Sequence, residues 1–238
     1  NRDIEIFPVL SAIFEGIYGE NPYKSPTDMG VNMAGNCICD DEACREASKQ
    51  EIIRRYFDAL NALAKGSTSE KEAQKIELLM NMAGITVTDR KVVIKALERA
   101  KETDGPAAAL ELRDGRIITG KTTNLLGASA ALLLNVLKVL AGIDHETHII
   151  SPESIEPIQK LKVDYLKSKN PRLHTDEVLI ALSASAATNP QARLALSQLP
   201  ELAGCQAHTS VMLSDVDIKI FKKLEVQLTS EAVYEHAL

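Results

Sequence analysis

The stretch Ala108-Ala-Leu-Glu-Leu-Arg-Asp-Gly115-Arg-Ile-Ile-Thr-Gly120-Lys-Thr122 decides the fold. Asp114-Gly115 is a strong signal for a two-residue hairpin turn, and the β-branched residues after it favour a strand. We therefore predict a β-hairpin over residues 107–120. Gly115–Thr122 also matches the phosphate-loop pattern G-x-x-x-x-G-K-[ST], which needs a strand before its first Gly and a helix from its Lys. A hairpin reverses that order, so we predict that the match is false.

Helical signals fill the chain before the hairpin, and helices alternate with strands after it. Apolar residues repeat at helical spacing from Ile4 to Tyr18, after Asp41 and again from Ser69 to Met82. We therefore predict a helical subdomain over residues 1–87. Residues 88–238 combine strands with helices, which predicts an α/β subdomain, bordering on α+β, whose mixed sheet is covered by helices.

The predicted order after the hairpin is a buried helix over 124–141, then strands at 147–150, 206–213 and 225–229 with helices between them. This order also describes the cytidine-deaminase-like fold. Zinc deaminases need the motif H-x-E followed by P-C-x-x-C, and neither occurs in this sequence. The possible likeness of topology therefore implies no deaminase activity.

Composition and charge exclude several classes of partner. The 238 residues carry a formal net charge of -6, and aromatic residues make up 4% with no Trp, so we expect no nucleic-acid partner. The most apolar run, Leu125 to Leu140, is shorter than the roughly 20 residues that span a bilayer, so we expect no membrane partner. Four cysteines and no signal peptide predict a cytoplasmic protein. The first residue, Asn1, suggests a fragment or a processed product.

Two groups of residues resemble metal motifs without matching them. His145-Glu146-Thr147-His148 is one residue shorter than H-E-x-x-H, which places two imidazoles on one helical face. Cys37, Cys39 and Cys44 do not have a usual zinc-finger spacing, and free cysteine is a common core residue. We predict no metal site, and the sequence names no cofactor.

Two segments combine cations with the start of a helix, where free amides and the helix dipole favour an anion. The first, Lys121, Thr122, Thr123 and Asn124, precedes the helix that follows. Its alternative interpretation is simple N-capping. The second, Lys169–Asp176, holds Arg172 and His174, and His174 is a candidate general acid or base because its ordinary pKa lies near neutrality. Its alternative is a solvated turn.

The segment from Tyr23 to Asn36 is rich in Pro, Gly and Asn, a composition that predicts an irregular loop. Ordered loops of this kind often carry binding groups, although a linker between subdomains is an equal alternative. Its candidate ligand-binding residues are Lys24, Thr27, Asp28, Asn32 and Asn36.

Several long runs resemble one bacterial family. They are Pro22–Gly35, Arg45–Arg55, Gly120-Lys-Thr, Gly127–Asn135 and Ser168–Glu177. On these runs the whole chain resembles the domain of unknown function 1846 family, also called uncharacterised protein family 0371. Family members are roughly twice as long, which implies that this chain is their C-terminal half and that the missing N-terminal half is a partner. The resemblance implies a helical subdomain before an α/β subdomain, and it transfers no catalytic residue.

Two functions of different classes remain. The first is a domain that binds, or binds and acts on, a small anionic or phosphorylated metabolite, with the segments at Lys121 and Arg172 as its polar groups and residues 23–36 as a lid. The second is a non-catalytic assembly domain that forms oligomers. Its motivation is the Ala-rich helices 124–141 and 175–187, since small residues permit close packing.

Overall fold

A computed structural model describes residues 2–235 of the chain. The chain divides into two compact units, Asn1–Arg90 and Lys91–Leu238. The first unit is helical and the second is mixed α/β with one four-stranded sheet. The predicted fold class is therefore confirmed.

The first unit consists of helices packed through a small apolar core. Its elements are α1 (Arg2–Tyr18), α2 (Pro26–Met33), α3 (Asp41–Ala64), α4 (Glu70–Met82) and a 3-10 turn at Val87–Asp89. The largest apolar side chains buried in it are Met29, Ile52, Ile53, Phe57 and Met80.

Part of the segment predicted to be irregular is a helix. α2 begins with Pro26, whose fixed φ suits the first turn, and Ser25 caps it by accepting a 3.1 Å hydrogen bond from the Asp28 amide. Gly35, with φ of 85°, lies just beyond its end. The Pro and Gly residues therefore mark the two ends of a short helix, and the density of such residues was misread as a loop.

The second unit surrounds its sheet with helices. Its strands are β1 (Ala107–Glu111), β2 (Ile117–Lys121), β3 (Gln206–Thr209) and β4 (Gln227–Ser230). Its α-helices are α5 (Lys91–Thr103), α6 (Ala128–Leu140), α7 (Pro152–Lys160), α8 (Thr175–Ser185), α9 (Pro190–Leu196) and α10 (Asp215–Lys223). A π-helical turn at Leu161–Tyr165 follows α7, and a 3-10 turn at Leu199–Leu202 follows α9.

The strand order is β2-β1-β3-β4. β1 is antiparallel to β2 and to β3, and β3 is parallel to β4. The predicted hairpin is confirmed, but its turn spans residues 113–115, because the Leu112 amide donates to the Arg116 carbonyl at 2.8 Å. Gly115 supplies the left-handed residue, with φ of 84°, that ends a three-residue turn of this kind.

Both faces of the sheet are covered. Ala108 and Leu110 of β1 lie in a core with α6 and α8, whereas Ala109 packs with Val92 and Ala96 of α5 on the opposite face. α6 is almost entirely buried, as its apolar sequence predicts. Gly120 of β2 lies directly against α6, which explains why this position lacks a side chain.

Several predicted boundaries are wrong. Residues 147–150 do not form a strand; the helix that follows them, α7, contains Pro157 in its interior. β3 ends at Thr209, four residues before the predicted end. Among the residues described, the helices include none that is long and apolar enough to cross a membrane.

Candidate functional site

The candidate site lies at one edge of the sheet in the second unit. The register pairs Ala107 with Lys121 and Ala108 with Thr209, and it aligns Thr209 with Ser230. The carboxyl ends of β2, β3 and β4 therefore share this edge, and the segments that follow these strands meet there. Open α/β sheets bind ligands outside the carboxyl ends of their strands.

A short parallel bridge brings two distant segments together at this edge. Leu126 pairs with Leu173, the Gly127 amide donates to the Leu173 carbonyl at 3.2 Å, and the Leu173 amide donates to the Leu125 carbonyl at 2.9 Å. The bridge places the beginning of α6 beside His174, which precedes α8. It thereby brings Thr122, from the first anion-binding candidate segment, to the same cavity as Arg172 and His174 of the second.

His174 and Asp217 form the central polar pair. The Nδ1 atom of His174 lies 3.0 Å from Oδ2 of Asp217, a side chain that is 4% exposed. The other carboxylate oxygen accepts hydrogen bonds from the amide and hydroxyl of Thr175, at 2.9 and 2.8 Å, and Ser214 donates to Oδ2 at 2.7 Å. Asp217 thus connects the beginnings of α8 and α10.

The electrostatics of this pair favour a charged carboxylate and a protonated ring. Burial alone would raise the pKa of Asp217, but hydrogen bonds from His174, Thr175 and Ser214 outweigh it and lower the pKa to about 2. The bond to Asp217 raises the pKa of His174 above its usual 6.5, against the opposing effect of burial. With Nδ1 facing a carboxylate, Nε2 is the ring atom available for proton transfer.

The amino end of α6 has no side-chain cap. Its N-cap is Gly127, so no side chain of that residue satisfies the first amides of the helix. Ser129, in the first turn, is 3% exposed, and its hydroxyl has no hydrogen-bond partner among the residues described. Ser129, Thr122 and His174 line one inner cavity of about 140 Å³. A hydroxyl that lines a cavity without a protein partner is available to bond to a ligand or to water.

A larger, open cavity of about 1000 Å³ adjoins the inner one, since Pro106, Asn170, Arg172 and Glu235 line both. Arg172 Nη1 lies 2.5 Å from Glu235 Oε1, which is a charge-assisted hydrogen bond. The remaining charged residues in the lining of this outer cavity are Lys101, Asp104 and Lys169.

A buried lysine fixes the segment that carries Arg172 and His174. Lys162, in the π-helical turn, donates to the Arg172 carbonyl at 2.7 Å and to Glu177 Oε2 at 2.8 Å. Glu177 also accepts a 2.8 Å hydrogen bond from the His174 amide, which caps α8. π-Helical turns of this kind occur frequently at functional sites.

The structure separates the residues that the sequence grouped around Lys121. Thr122 lines the inner cavity and Asn124 the outer one, whereas Lys121 and Thr123 line a third cavity. Thr123 accepts hydrogen bonds from the amides of Leu125 and Leu126, at 3.2 and 3.0 Å, so it closes a turn before α6 and does not cap the helix, whose N-cap is Gly127. α6 begins at Ala128, well after Lys121, and a phosphate loop would require it to begin at the Lys.

The candidate residues of the first unit mostly bond to one another. Asp28, which is buried, accepts hydrogen bonds from the Lys24 amide and from the Asn32 side chain, and Thr27 bonds to Ser48 at 2.7 Å. These contacts stabilise the start of α2. The Asn36 side chain is exposed.

Sequence reasoning missed Ser129 and Asp217. Ser129 lies within an apolar helical run, where a lone serine gives no signal, and Asp217 resembles any acidic residue in the first turn of a helix. The one usable hint was the sequence Gly127-Ala-Ser129, in which a glycine cap leaves the first amides of a helix open.

The second unit is thus an α/β domain with an imidazole–carboxylate pair and an open helix terminus at the carboxyl ends of its strands. Residues 88–238 match the sequence model "Domain of unknown function DUF1846, C-terminal", and residues 1–84 match "Domain of unknown function DUF1846, N-terminal". The chain therefore belongs to the DUF1846 family, as its sequence runs predicted.

Relatives in two bacterial genera support this membership. The chain is 57% identical over 234 residues to "UPF0371 protein cu0538" of Corynebacterium urealyticum, and the match covers 98% of this chain and 47% of that protein. It is 52% identical over 236 residues to "UPF0371 protein str1377" of Streptococcus thermophilus, covering 99% of this chain and 48% of the relative.

The chain spans about half the length of these curated relatives. The prediction that the chain resembles only the C-terminal half of the family is corrected, because residues 1–84 match the N-terminal DUF1846 model. The names of these relatives assign no activity.

Proposed function

We propose that the protein binds a small anionic metabolite, such as a phosphorylated one, at the carboxyl edge of its sheet. The anionic group lies in the inner cavity at the beginning of α6, and the rest of the molecule extends into the outer cavity. The observation that carries this proposal is the Ser129 hydroxyl, which forms no hydrogen bond with the described residues and lines the inner cavity beside the uncapped first turn of a helix.

Three kinds of donor converge on the inner cavity. The free amides of the first turn of α6 and the helix dipole favour negative charge. The Ser129 hydroxyl adds a neutral donor, and His174, held by Asp217, adds a cationic one below its raised pKa. Phosphate and carboxylate oxygens accept from all three groups.

The outer cavity supplies charge for the remainder of the ligand. Its lining includes three cations, Lys101, Lys169 and Arg172, and two carboxylates, Asp104 and Glu235. Because Glu235 already holds Arg172, a ligand anion competes with this carboxylate for the guanidinium. We therefore expect Glu235→Gln to strengthen anion binding.

His174 is the residue that we propose for any proton transfer to the bound metabolite. The bond from Nδ1 to Asp217 orients the ring and leaves Nε2 toward a ligand, as in imidazole–carboxylate pairs that act as general acids and bases. The hydrogen bond stabilises the protonated ring, which suits His174 to donate a proton near neutral pH.

Thermal unfolding with and without inorganic phosphate tests this function. A ligand at about a hundred times its dissociation constant adds about 2.7 kcal/mol to the unfolding free energy, which raises the melting temperature by several degrees. We expect Ser129→Ala to lose most of this increase while melting at nearly the wild-type temperature without phosphate, since Ser129 makes no hydrogen bond among the described residues.

The matched control is Ser183→Ala, which changes an exposed helical serine outside the cavities. It should keep the full response to phosphate, and His174→Gln should lose part of it. If Ser129→Ala and His174→Gln both respond to phosphate like the wild type, the α6 site is not the binding site.

A second candidate function is assembly, and α1 rather than the Ala-rich helices favours it. α6 is buried within its own unit, so it offers no surface. On α1, in contrast, Ile6, Val9, Ile13 and Ile17 are exposed at spacings of three or four residues, which places them on one face. An apolar face of this kind commonly marks an interaction surface.

Light scattering during size-exclusion chromatography separates the two functions. Assembly through α1 predicts an oligomer that Val9→Glu converts to a monomer, without an effect on phosphate binding. A monomer at micromolar concentration would count against assembly through α1.

We also propose that the protein acts in the cytoplasm. The support is chemical: all four cysteines are free thiols, and Cys37 and Cys39 are exposed, where an oxidising compartment would modify them. Mass spectrometry of thiols alkylated in intact cells tests this location, since extensive native disulfide formation would contradict it.

A further inference from the structure

The second unit contains another cavity, of about 290 Å³, on the side of the edge strand β2. It lies among α5, β2, α6 and the segment 145–150 that follows α6, and we call it the basic cavity. Its positively charged or titratable lining residues are Arg99, Lys121, Lys138, His145 and His148. Among the described residues that line it, none is Asp or Glu.

Lys138 is the deepest of these cations. The residue is 8% exposed, and its ammonium group donates to the backbone carbonyl of His145. Burial lowers the pKa of Lys138, although the nearby Asp144 and Glu146 partly oppose this effect. Within the described part of the chain no carboxylate forms an ion pair with Lys138, so its charge is buried with only a neutral acceptor.

Arg99 adds an unsatisfied donor. Its Nη1 atom bonds to Glu102 at 3.1 Å, but its Nε atom is buried and has no hydrogen-bond partner in the described structure. Arg99 and Lys138 line the same cavity, and an anionic ligand there could accept a hydrogen bond from the orphan guanidinium N–H and from the ammonium group.

The mouth of the cavity is also basic. Lys121 and both histidines are exposed there, and Lys121 makes no ion pair within the described residues. These residues come from the sequence patterns Gly120-Lys-Thr and His145-Glu-Thr-His148, which resembled a phosphate loop and a zinc motif. The fold unites their basic side chains in a single cavity, although neither motif is formed.

The remaining lining is apolar. Ile149, Ile150 and Ile155 are buried, and Leu125, Leu126 and Leu134 complete this surface. A cavity that combines an apolar wall with a few convergent polar groups is typical of a site for a small organic ligand. An inorganic ion alone would leave this wall unused.

We propose that the basic cavity binds an organic phosphate monoester whose short apolar tail lies against the isoleucine and leucine wall. The phosphate receives hydrogen bonds from Lys138 and Arg99 inside the cavity and from Lys121 at its mouth. A dianion suits this lining better than a single carboxylate, because three cationic side chains and no carboxylate are among the described residues that line the cavity. This site is separate from the one at the beginning of α6.

Isothermal titration with n-hexyl phosphate tests the proposal, with inorganic phosphate and hexanoate as comparators. Hexyl phosphate should bind more tightly than either comparator, because only it has both the dianion and the tail. Lys121→Met and Lys138→Met should each weaken its binding about tenfold or more. Lys121 is exposed, so its variant remains informative even if Lys138→Met fails to fold.

Two control variants distinguish this site from the α6 site. Lys101→Met removes a cation from the outer cavity, and Ser129→Ala removes the inner donor; both should leave hexyl phosphate affinity within about twofold of wild type. Wild-type affinity in Lys121→Met and Lys138→Met would overturn the proposal. Tighter binding of hexanoate than of hexyl phosphate would overturn the choice of a phosphate.

Discussion

At the scale of single residues, Gly120 is essential for packing. A Cβ at this position would lie 2.2 Å from the backbone nitrogen of Leu132 and 2.5 Å from its Cα. These atoms belong to the middle of α6, so they cannot move without displacing the whole helix. The glycine that completes the apparent phosphate loop is therefore explained by the close approach of β2 to α6.

We predict that Gly120→Ala destabilises the protein by about 3 kcal/mol or more, since overpacking against backbone exceeds the usual cost of an added methyl group. Urea unfolding measures this loss. Gly105→Ala is the matched control, because a Cβ there meets only the Thr103 carbonyl, at 3.8 Å. Equal stability of the two variants would show that α6 moves freely away from β2.

Asp217 should make stability depend on pH in the acid range. Its folded-state pKa of about 2 lies below the usual 3.8, so the ionised group stabilises the folded state above about pH 4, and this contribution is lost as the pH falls toward 2. The shift corresponds to about 2 kcal/mol. The test is urea unfolding of wild type and Asp217→Asn from pH 6 to pH 2.5. The difference between their free energies of unfolding should become smaller as the pH falls, and a constant difference would contradict the prediction.

His174 should have the opposite dependence. Its raised pKa means that the protonated ring stabilises the folded state below pH 6.5, and this contribution is lost as the pH rises through the folded-state value. We expect His174→Gln to lower the free energy of unfolding, measured with urea, most strongly near pH 5.5 and less at pH 9. A cost that grows with pH would mean that Asp217 does not stabilise the imidazolium.

At the scale of elements, the π-helical turn at Leu161–Tyr165 positions the segment before α8 through Lys162. Lys162→Met keeps the length of the side chain but leaves Glu177 without its cationic partner. Removing one member of a buried pair typically costs about 3–5 kcal/mol. Glu177 is partly exposed, so we predict that Lys162→Met lowers the free energy of unfolding by less, about 2 kcal/mol, as measured with urea.

The exposed Lys160 is the control for this prediction, and Lys160→Met should leave stability nearly unchanged. The double variant Lys162→Met with Glu177→Gln should recover part of the loss, because it no longer buries an unpaired carboxylate. Equal losses in the single and double variants would assign the effect to packing of the lysine stem.

The elements that could be predicted from the sequence are those with strong local signals. The hairpin follows from Asp114-Gly115 between extended residues, and α6 from its uninterrupted apolar run. α2 was missed because its caps and its eight residues carry the same residue types as a loop. Thr147–Ile150 was predicted to be a strand, but this segment forms none; Ile149 and Ile150 are buried by packing, whereas His148 is exposed.

At the scale of the whole molecule, the candidate site follows from topology rather than from any motif. Ser129, His174 and Asp217 are far apart in the sequence and meet because the Leu126–Leu173 bridge and the shared carboxyl edge of β2, β3 and β4 bring their segments together. His174 and Arg172 were predictable because cations before a helix have a local signal. The separation of Lys121 from them was not, since it depends on which face of β2 each side chain occupies.

The second unit has the features of an independently folding domain. Its core of Leu, Val, Ile and Ala side chains lies between α6, α8 and the sheet, and the inner, outer and basic cavities are all lined by its own residues. We therefore predict that a fragment of residues 88–238 folds cooperatively by urea unfolding and gains stability from phosphate as the whole chain does. The fragment 1–87, with its small apolar core, should unfold at a lower urea concentration. A fragment 88–238 that folds but gives no phosphate response, while the whole chain responds, would show that the α6 site needs residues of the first unit.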